Sequence, residues 1–234
     1  MIDFHSHILP GVDDGANDIE ESLALLRSLR EQGITTVVAT PHYIGNCSIK
    51  SFLRKRQDAY DKLSSAMKET GEKFPEILLG AEVAINEYLM QHHGLERLCI
   101  EGTNILLAEM PNKFWEPYLY HILYTLRAQC HLDVMIAHVD RYFSYFGRNS
   151  KILKLIDMQP YFQINAPALK FRKGKKLLKM FALLDCKFVF GTDCHNNVTR
   201  RPVIKEPLEY ISKKYGDECI EYVDELGNKL LKRI

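Results

Sequence analysis

The sequence lacks the features that mark several common classes of protein. It has no C-x-x-C pair, and its six cysteines follow no regular spacing, which argues against a disulfide framework and for reduced, mostly buried thiols. No apolar run is long enough to span a bilayer, and no basic segment followed by an apolar one opens the chain. Together these absences predict a cytoplasmic protein.

The charge balance excludes further classes. The formal net charge is +1, so the chain has no excess charge to attract a polyanion or a membrane surface. Two short runs, 54–57 and 170–176, are locally basic. Such runs are typical of solvated helix ends or loops, with binding of an anionic partner as the alternative. We therefore expect no nucleic-acid partner and no membrane insertion.

What recurs along the 234 residues is a short apolar run followed by an amphipathic stretch. The strand-like runs lie at residues 2–5, 34–40, 76–83, 104–110, 133–138, 161–165 and 187–193. Helical patterns lie at residues 19–33, 50–70, 115–129, 148–158, 174–185 and 206–233. Apolar strands that alternate with helices predict an α/β fold with a parallel sheet, either a barrel or a doubly wound sheet. Seven strands without G-x-G-x-x-G or a P-loop favour the barrel, and the lack of a linker or repeat predicts a single domain, 1–234.

Potential metal ligands follow the ends of six of the seven predicted strands. They are His5, His7, His42, Glu82, Glu109, His138, Asp193 and His195, and Asp14 lies on the loop after the first strand. In a barrel of parallel strands the C-terminal ends meet on one face, where active sites are built. Any one of these residues alone is more often a hydrogen-bonded structural residue. Six strands that deliver His, Asp or Glu to the same face favour a common site.

The mix of ligands indicates the kind of metal. Carboxylates packed around imidazoles need cations to neutralise them, and nitrogen and oxygen ligands without thiolates suit Zn, Mn or Fe. Nine ligands are too many for one ion and indicate two or three. Clustered ions of this type bridge a hydroxide and clamp a phosphate during an in-line displacement. The pattern therefore indicates chemistry on a phosphate.

In their order along the chain, these motifs resemble the polymerase and histidinol phosphatase (PHP) superfamily. Within it, the segments MIDFHSHILPGVDDGA, TPHY, GAEV, EMP, IAHVDRY and RRP (200–202) are similar to the bacterial PHP tyrosine phosphatases, which are associated with capsule and exopolysaccharide synthesis. The match runs in order from residue 2 to about residue 202. The resemblance implies a distorted (β/α)7 TIM-like barrel that holds a trinuclear metal site.

Carried over residue by residue, the resemblance implies a ligand set for each ion. The first ion would be held by His5, His7, Glu82 and Asp193. Glu82 would also bridge to a second ion, held with Glu109 and His138, and the third would be held by Asp14, His42 and His195. Asp13 is the alternative to Asp14, which we prefer from its position in the motif. The resemblance implies two or three divalent ions, manganese first, with zinc and iron as alternatives.

Two arginines stand where the resemblance implies phosphate-binding groups. Arg141 in HVDRY and Arg201 in RRP would bind phosphate oxygens, and a guanidinium there stabilises transition-state charge. The alternative for each is a surface arginine that pairs with a carboxylate, and Arg200 could share the task. The aromatic segment 114–121 follows the EMP turn and is either part of the core or a lid that contacts a phosphotyrosine ring.

One motif suggests a different mechanism. Residues 194–200, CHNNVTR, satisfy the C-x5-R pattern of cysteine-dependent tyrosine phosphatases. That chemistry needs a thiolate stabilised by backbone amides, usually with glycine in the loop. The five intervening residues contain no glycine, and Cys194 lies between two proposed metal ligands. We therefore interpret the match as coincidental, as short motifs often are.

The resemblance implies a phosphoric monoester hydrolase, namely a metal-dependent protein-tyrosine phosphatase that acts through a metal-bridging hydroxide. Its implied partner is a phosphotyrosine-containing protein, the tyrosine-rich tail of a bacterial tyrosine kinase of capsule or exopolysaccharide synthesis. The alternatives are another PHP phosphoesterase, acting on histidinol phosphate or nucleic-acid ends, and a non-catalytic PHP scaffold. The near-neutral charge argues against a nuclease.

Overall fold

The protein forms a closed barrel of parallel strands surrounded by helices. The computed structural model describes residues 1–112 and 115–231. The strands are β1 (Ile2–Ser6), β2 (Thr36–Ala39), β3 (His42–Tyr43), β4 (Glu76–Leu79), β5 (Glu82–Ala84), β6 (Ile105–Glu109), β7 (Asp133–Ile136), β8 (Tyr161–Asn165) and β9 (Phe188–Gly191). The α-helices are α1 (Ile19–Glu31), α2 (Ile49–Thr70), α3 (Pro117–Ala128), α4 (Val139–Phe146), α5 (Ser150–Asp157), α6 (Arg172–Leu183), α7 (Lys205–Tyr215) and α8 (Glu218–Leu230). Short 3-10 helices lie at Leu89–Gln91, Leu95–Leu98 and Ala166–Lys170.

Two of the barrel strands are interrupted at one point each. β2 continues into β3 across Thr40 and Pro41, and β4 continues into β5 across Gly80 and Ala81. Pro41 has no N–H to donate to the ladder. The backbone nevertheless stays paired there, because the Gly80 N–H donates to the Ala39 carbonyl at 2.8 Å. The nine strands therefore form seven barrel strands, at the seven places predicted from the sequence.

The barrel is closed by its first and last strands. One sheet has the order β1-β2-β4 and the other β3-β5-β6-β7-β8-β9, with every pair parallel. The Asp193 N–H donates to the His5 carbonyl at 2.8 Å, and the His7 N–H donates to the Cys194 carbonyl at 2.9 Å. All five residues of β1 are buried. The predicted α/β barrel is confirmed, and its first strand is held on both sides.

Local signals fix the helix ends. The Asp18 carboxylate accepts the Glu21 N–H at the start of α1, and the Ser48 hydroxyl accepts the Ser51 N–H at the start of α2, as N-cap residues do. Gly71 ends α2 in the left-handed conformation, with φ 67°, which glycine adopts at little cost. None of the described helices is long and apolar enough to cross a membrane.

Apolar packing fills the barrel and surrounds it. A large core joins the helices to the outer faces of the strands. A second cluster includes Phe4, Val38, Leu107, Met135 and Val189. Because its members come from strands on all sides of the barrel, this second cluster fills the barrel interior. It leaves the C-terminal ends of the strands for polar side chains.

Candidate active site

The site is built around Glu82, the first residue of β5, whose side chain is fully buried. Its Oε2 atom lies 3.1 Å from Nε2 of His5 and 3.2 Å from Nε2 of His7. The same oxygen lies 3.1 Å from Nδ1 of His42, and Oε1 lies 2.7 Å from Nε2 of His138. Four imidazoles from the ends of three barrel strands therefore converge on one carboxylate.

The remaining predicted ligands complete three overlapping groups. In each group the candidate ligand atoms lie within 4.8 Å of one another. The groups are His5, His7 and Asp193; His42, Glu82 and Glu109; and His7, Asp14, His42 and His195. Nε2 of His138 lies 3.6 Å from Oε1 of Glu109, which brings it to the second group. The structure thus brings together all nine residues predicted as metal ligands.

Hydrogen bonds on the far side of two rings fix their tautomers. Nδ1 of His5 lies 2.9 Å from Oε1 of Gln163, and Nδ1 of His7 lies 2.7 Å from Oδ2 of Asp13. Both partners accept hydrogen bonds, so in the neutral form of each ring Nδ1 carries the proton and Nε2 presents a lone pair. These two Nε2 atoms lie only 3.1 Å apart. Two lone pairs this close need a proton or a metal ion between them, and outer partners of this kind are usual for metal-binding histidines.

Buried atoms without a hydrogen bond point to the same conclusion. Among the described residues, Oε2 of Glu82 and Nε2 of His195 are buried and have no hydrogen-bond partner. The Nδ1 atom of His195 lies 3.1 Å from the backbone oxygen of Asp193, so its Nε2 also presents a lone pair. Buried polar atoms are rarely left unpaired. The donor set therefore fits bound metal ions.

The charges of the cluster are strongly coupled. Burial alone would raise the pKa of Glu82, but the surrounding imidazoles outweigh it and hold the pKa well below its usual range. Burial opposes the charged form of His5, yet Glu82 and Asp193 raise its pKa to about 9. Burial, reinforced by the neighbouring His7 and by a nearby guanidinium, lowers the pKa of His195 to about 4. A neutral imidazole is the form that binds a metal ion.

Two of the predicted ligands are held in a strained backbone conformation. His138 has φ 32° and Asp193 has φ 54°, in the left-handed region that residues other than glycine rarely adopt. Each follows the end of a barrel strand. Strain of this kind persists where the surrounding structure enforces it and is concentrated at functional sites. In this conformation His138 contacts Glu82, and Oδ1 of Asp193 lies 3.7 Å from Nε2 of His5.

Asp193 is also the meeting point of two arginines. Arg141, in the first turn of α4, forms an ion pair with its Oδ2. Arg200 reaches Oδ1 of Asp193 at 2.6 Å and Oδ2 of Asp14 at 3.7 Å. Arg201 is exposed and makes no hydrogen bond or ion pair with any described residue. The structure thus brings Arg141 to the site, and Arg200 rather than the predicted Arg201.

A turn explains why Arg200 points inward. The Oδ1 atom of Asn196 accepts the N–H groups of Val198, Thr199 and Arg200 at 2.9, 2.7 and 3.2 Å. The His195 N–H also donates to the Arg200 carbonyl at 2.9 Å. The loop therefore folds back on the strand end. An asparagine directly after His195 was the signal in the sequence that could have found this turn.

The two adjacent aspartates have different surroundings. Asp13 accepts hydrogen bonds from the Gly15 N–H at 3.0 Å and the His42 N–H at 2.9 Å, besides its contact with His7. Oδ1 of Asp14 lies 3.3 Å from Nε2 of His42 and 3.4 Å from Nε2 of His195. Asp13 is thus occupied in orienting neighbours, whereas Asp14 faces two ring nitrogens. This geometry favours Asp14 as the ligand.

Cys194 does not have the surroundings of a nucleophile. Its side chain is fully buried, and burial raises the pKa of the thiol far above its usual range. A thiol in such a position is not ionised at neutral pH, and the thiolate is the reactive form. The structure therefore supports the interpretation of the C-x5-R match as coincidental.

The described part of the aromatic segment 114–121 contributes to both the core and the surface. Trp115 is buried, with its ring 5.2 Å from that of Tyr142 and 5.0 Å from that of Phe146, so it belongs to the core. Tyr118 is 43% exposed at the start of α3. Phe114 lies outside the described residues.

Comparisons with known proteins agree on one group of relatives. The chain matches the family "Capsular polysaccharide synthesis, CpsB/CapC" over residues 1–229. Tyrosine-protein phosphatase YwqE of Bacillus subtilis is 30% identical over 238 residues, covering 99% of this chain and 92% of that protein. Tyrosine-protein phosphatase CpsB of Streptococcus agalactiae is 27% identical over 231 residues, covering 93% of this chain and 92% of that protein.

A solved structure gives the same result. One comes from a study of YwqE from Bacillus subtilis and CpsB from Streptococcus pneumoniae, described as unique metal-dependent tyrosine phosphatases. It superposes with a TM-score of 0.85 at 26% identity, covering 100% of this chain and 95% of that one.

Proposed function

Because the chain belongs to the CpsB/CapC family of capsular polysaccharide synthesis, we propose that it is a metal-dependent protein-tyrosine phosphatase. Membership confirms the resemblance drawn from the motifs. The observation that carries the proposal is the convergence of His5, His7, His42 and His138 on the buried carboxylate of Glu82. A scaffold without catalytic function has no need of such a cluster.

The nine predicted ligands would hold two or three divalent ions. Nitrogen and oxygen donors without thiolates suit manganese, with zinc and iron as alternatives. When bound, such ions supply positive charge for the phosphoryl oxygens and lower the pKa of a water molecule to make it a nucleophile. Gln163 and Asp13 would keep the proton of His5 and of His7 on Nδ1, so that both Nε2 atoms stay available.

Arg141 and Arg200 would bind the phosphate. Both guanidinium groups reach Asp193, so both lie at the edge of the proposed metal cluster. A substrate phosphate bound to the cluster would lie within their reach. Charge-assisted hydrogen bonds from guanidinium to phosphate are strong and frequently bidentate. They become more favourable as negative charge grows in the transition state. Arg201, expected in this role from the sequence, has no contact that supports it.

The substrate would be phosphotyrosine in a protein, as the names of the relatives indicate for those proteins. We propose a tyrosine kinase of capsule or exopolysaccharide synthesis as the physiological partner, since the family is that of capsular polysaccharide synthesis. All six cysteines are free thiols, which supports a reducing compartment such as the cytoplasm.

The test compares two substrates. Manganese-loaded protein is expected to release phosphate from a phosphotyrosine peptide and to leave histidinol phosphate largely untouched. Glu82→Gln, which keeps the shape of the side chain but removes its charge, is expected to abolish activity. Hydrolysis of histidinol phosphate without hydrolysis of the peptide would overturn the substrate assignment, and an active Glu82→Gln protein would overturn the site.

A further inference from the structure

Three neighbouring segments that begin on the site face carry cations but no carboxylates. They span residues 141–154, 166–179 and 194–205, after β7, β8 and β9. Together they hold thirteen Lys and Arg and no Asp or Glu, whereas the rest of the chain holds eighteen Lys and Arg and thirty Asp and Glu. The near-zero net charge therefore hides a strongly uneven distribution.

The three segments form one surface that adjoins the site. β7, β8 and β9 are consecutive neighbours in the sheet, so the segments that follow them start side by side. Nζ of Lys173 donates to the Ser144 carbonyl at 2.7 Å, which joins the first segment to the second. The first and third segments supply Arg141 and Arg200, which both reach Asp193. The cationic surface is thus continuous with the candidate metal cluster.

Large apolar side chains are exposed among these cations. Each segment contributes one, namely Tyr145 at 56%, Phe171 at 68% and Val198 at 80% exposure. Arg148 and Arg172 are also exposed, and neither pairs with a carboxylate of a described residue. We call these five residues, three apolar and two basic, the basic face. Exposed apolar side chains that lie together mark interaction surfaces, and unpaired cations beside them favour an acidic partner.

We infer that the basic face binds acidic residues that flank the phosphotyrosine in the substrate protein. This inference rests on the proposed function and adds a preference for sequence context. A phosphotyrosine in the cluster carries its neighbouring residues out over the rim. Carboxylates in those neighbours meet Arg148 and Arg172, and apolar or aromatic neighbours meet Tyr145, Phe171 and Val198. Complementary charge speeds encounter and sets the register of the bound segment.

Cations interleaved with aromatic side chains also suit single-stranded nucleic acid. The acidic polypeptide is the better match here because the face is continuous with a site whose relatives act on phosphotyrosine in proteins. Binding of an oligonucleotide is therefore a contrary outcome of the test.

The experiment measures kcat/KM for three substrates with the manganese-loaded protein at low salt. They are p-nitrophenyl phosphate, a phosphotyrosine peptide flanked by Glu and Asp, and the same peptide with Gln and Asn. The test variant is R148E/R172E. The control is K68E/K229E, which makes the same charge change near the C-terminal ends of α2 and α8. Lys68 lies close before β4, and Lys229 lines a cavity with Asn104 and Asp133, so both lie at the opposite end of the barrel.

Wild-type protein and the control are expected to prefer the acidic peptide by about fivefold or more, and added salt is expected to reduce that preference. The kcat/KM of R148E/R172E for the acidic peptide is expected to fall about tenfold, while its kcat/KM for p-nitrophenyl phosphate stays unchanged. Equal rates on both peptides in the wild type, or an unchanged preference in R148E/R172E, would overturn the inference. Inhibition by oligothymidylate at lower concentration than by the unphosphorylated acidic peptide would also overturn it. Absence of activity on every phosphotyrosine substrate would instead overturn the proposed function.

Discussion

The Nε2 atoms of His5 and His7 lie 3.1 Å apart, and the Nδ1 atom of each ring faces a hydrogen-bond acceptor on the opposite side. Two lone pairs this close repel each other unless a cation lies between them. In the protein without metal a proton takes that role, and the pKa of His5 is raised to about 9 as Glu82 and Asp193 outweigh its burial. A metal ion between the two Nε2 atoms relieves the same repulsion. Because the two rings are held this close only in the folded protein, the metal binds the folded state and not the unfolded one.

Divalent metal is therefore expected to stabilise the fold. A ligand at about 100 times its Kd adds about 2.7 kcal/mol to the free energy of unfolding, which raises Tm by roughly 5–10 °C in a chain of this size. The measurement is a thermal melt in manganese and after chelation. The Glu82→Gln protein serves as control and should show little change. An equal rise in both proteins would mean that the metal binds elsewhere.

Alanine substitutions of the adjacent residues Arg200 and Arg201 are expected to have very different effects on kcat/KM. Removal of one charged donor from a phosphoryl site costs on the order of 10²–10³-fold in rate, so Arg200→Ala should lose that much in kcat/KM. Arg201→Ala should stay near the wild-type value, because its side chain is exposed and makes no hydrogen bond or ion pair with a described residue. The assay is hydrolysis of p-nitrophenyl phosphate, with metal content measured in parallel. A large loss in Arg201→Ala with normal Arg200→Ala would restore the assignment made from the sequence.

That pair of arginines marks the limit of sequence reasoning here. The strands and their polar ends were predictable, because parallel strands in a barrel present their C-terminal ends on one face. The direction of a loop side chain is set by the backbone of the turn, here by Asn196 as it accepts three N–H groups. The short helix α4 was also missed, since His138 precedes it in the left-handed conformation without a capping side chain.

Asp13 is expected to act through His7 rather than as a ligand. Loss of such an outer partner typically lowers metal affinity 10–100-fold, so Asp13→Ala should shift the manganese titration of Tm by about that factor. Asp18→Ala is the matched control, because it removes the N-cap of α1 and costs about 1 kcal/mol of stability without a contact to the site. Equal metal affinity in the two variants would mean that Asp13 does not support metal binding through His7.

Cys194 is expected to be dispensable for the chemistry. Its thiol is buried and its pKa is far above the usual range, so Cys194→Ser should retain most of the wild-type kcat and should bind metal normally. Iodoacetamide should leave the wild-type activity unaffected for the same reason. Complete loss of activity in a folded, metal-loaded Cys194→Ser protein would revive the cysteine-dependent mechanism.

Elemental analysis of protein purified without added metal tests the central claim most directly. The nine proposed nitrogen and oxygen ligands, Glu82 among them, predict two or three divalent ions per chain in the wild-type protein and a marked loss of metal in Glu82→Gln. The result that contradicts the account is a wild-type protein that hydrolyses phosphotyrosine with less than one ion per chain, in the presence of a strong chelator.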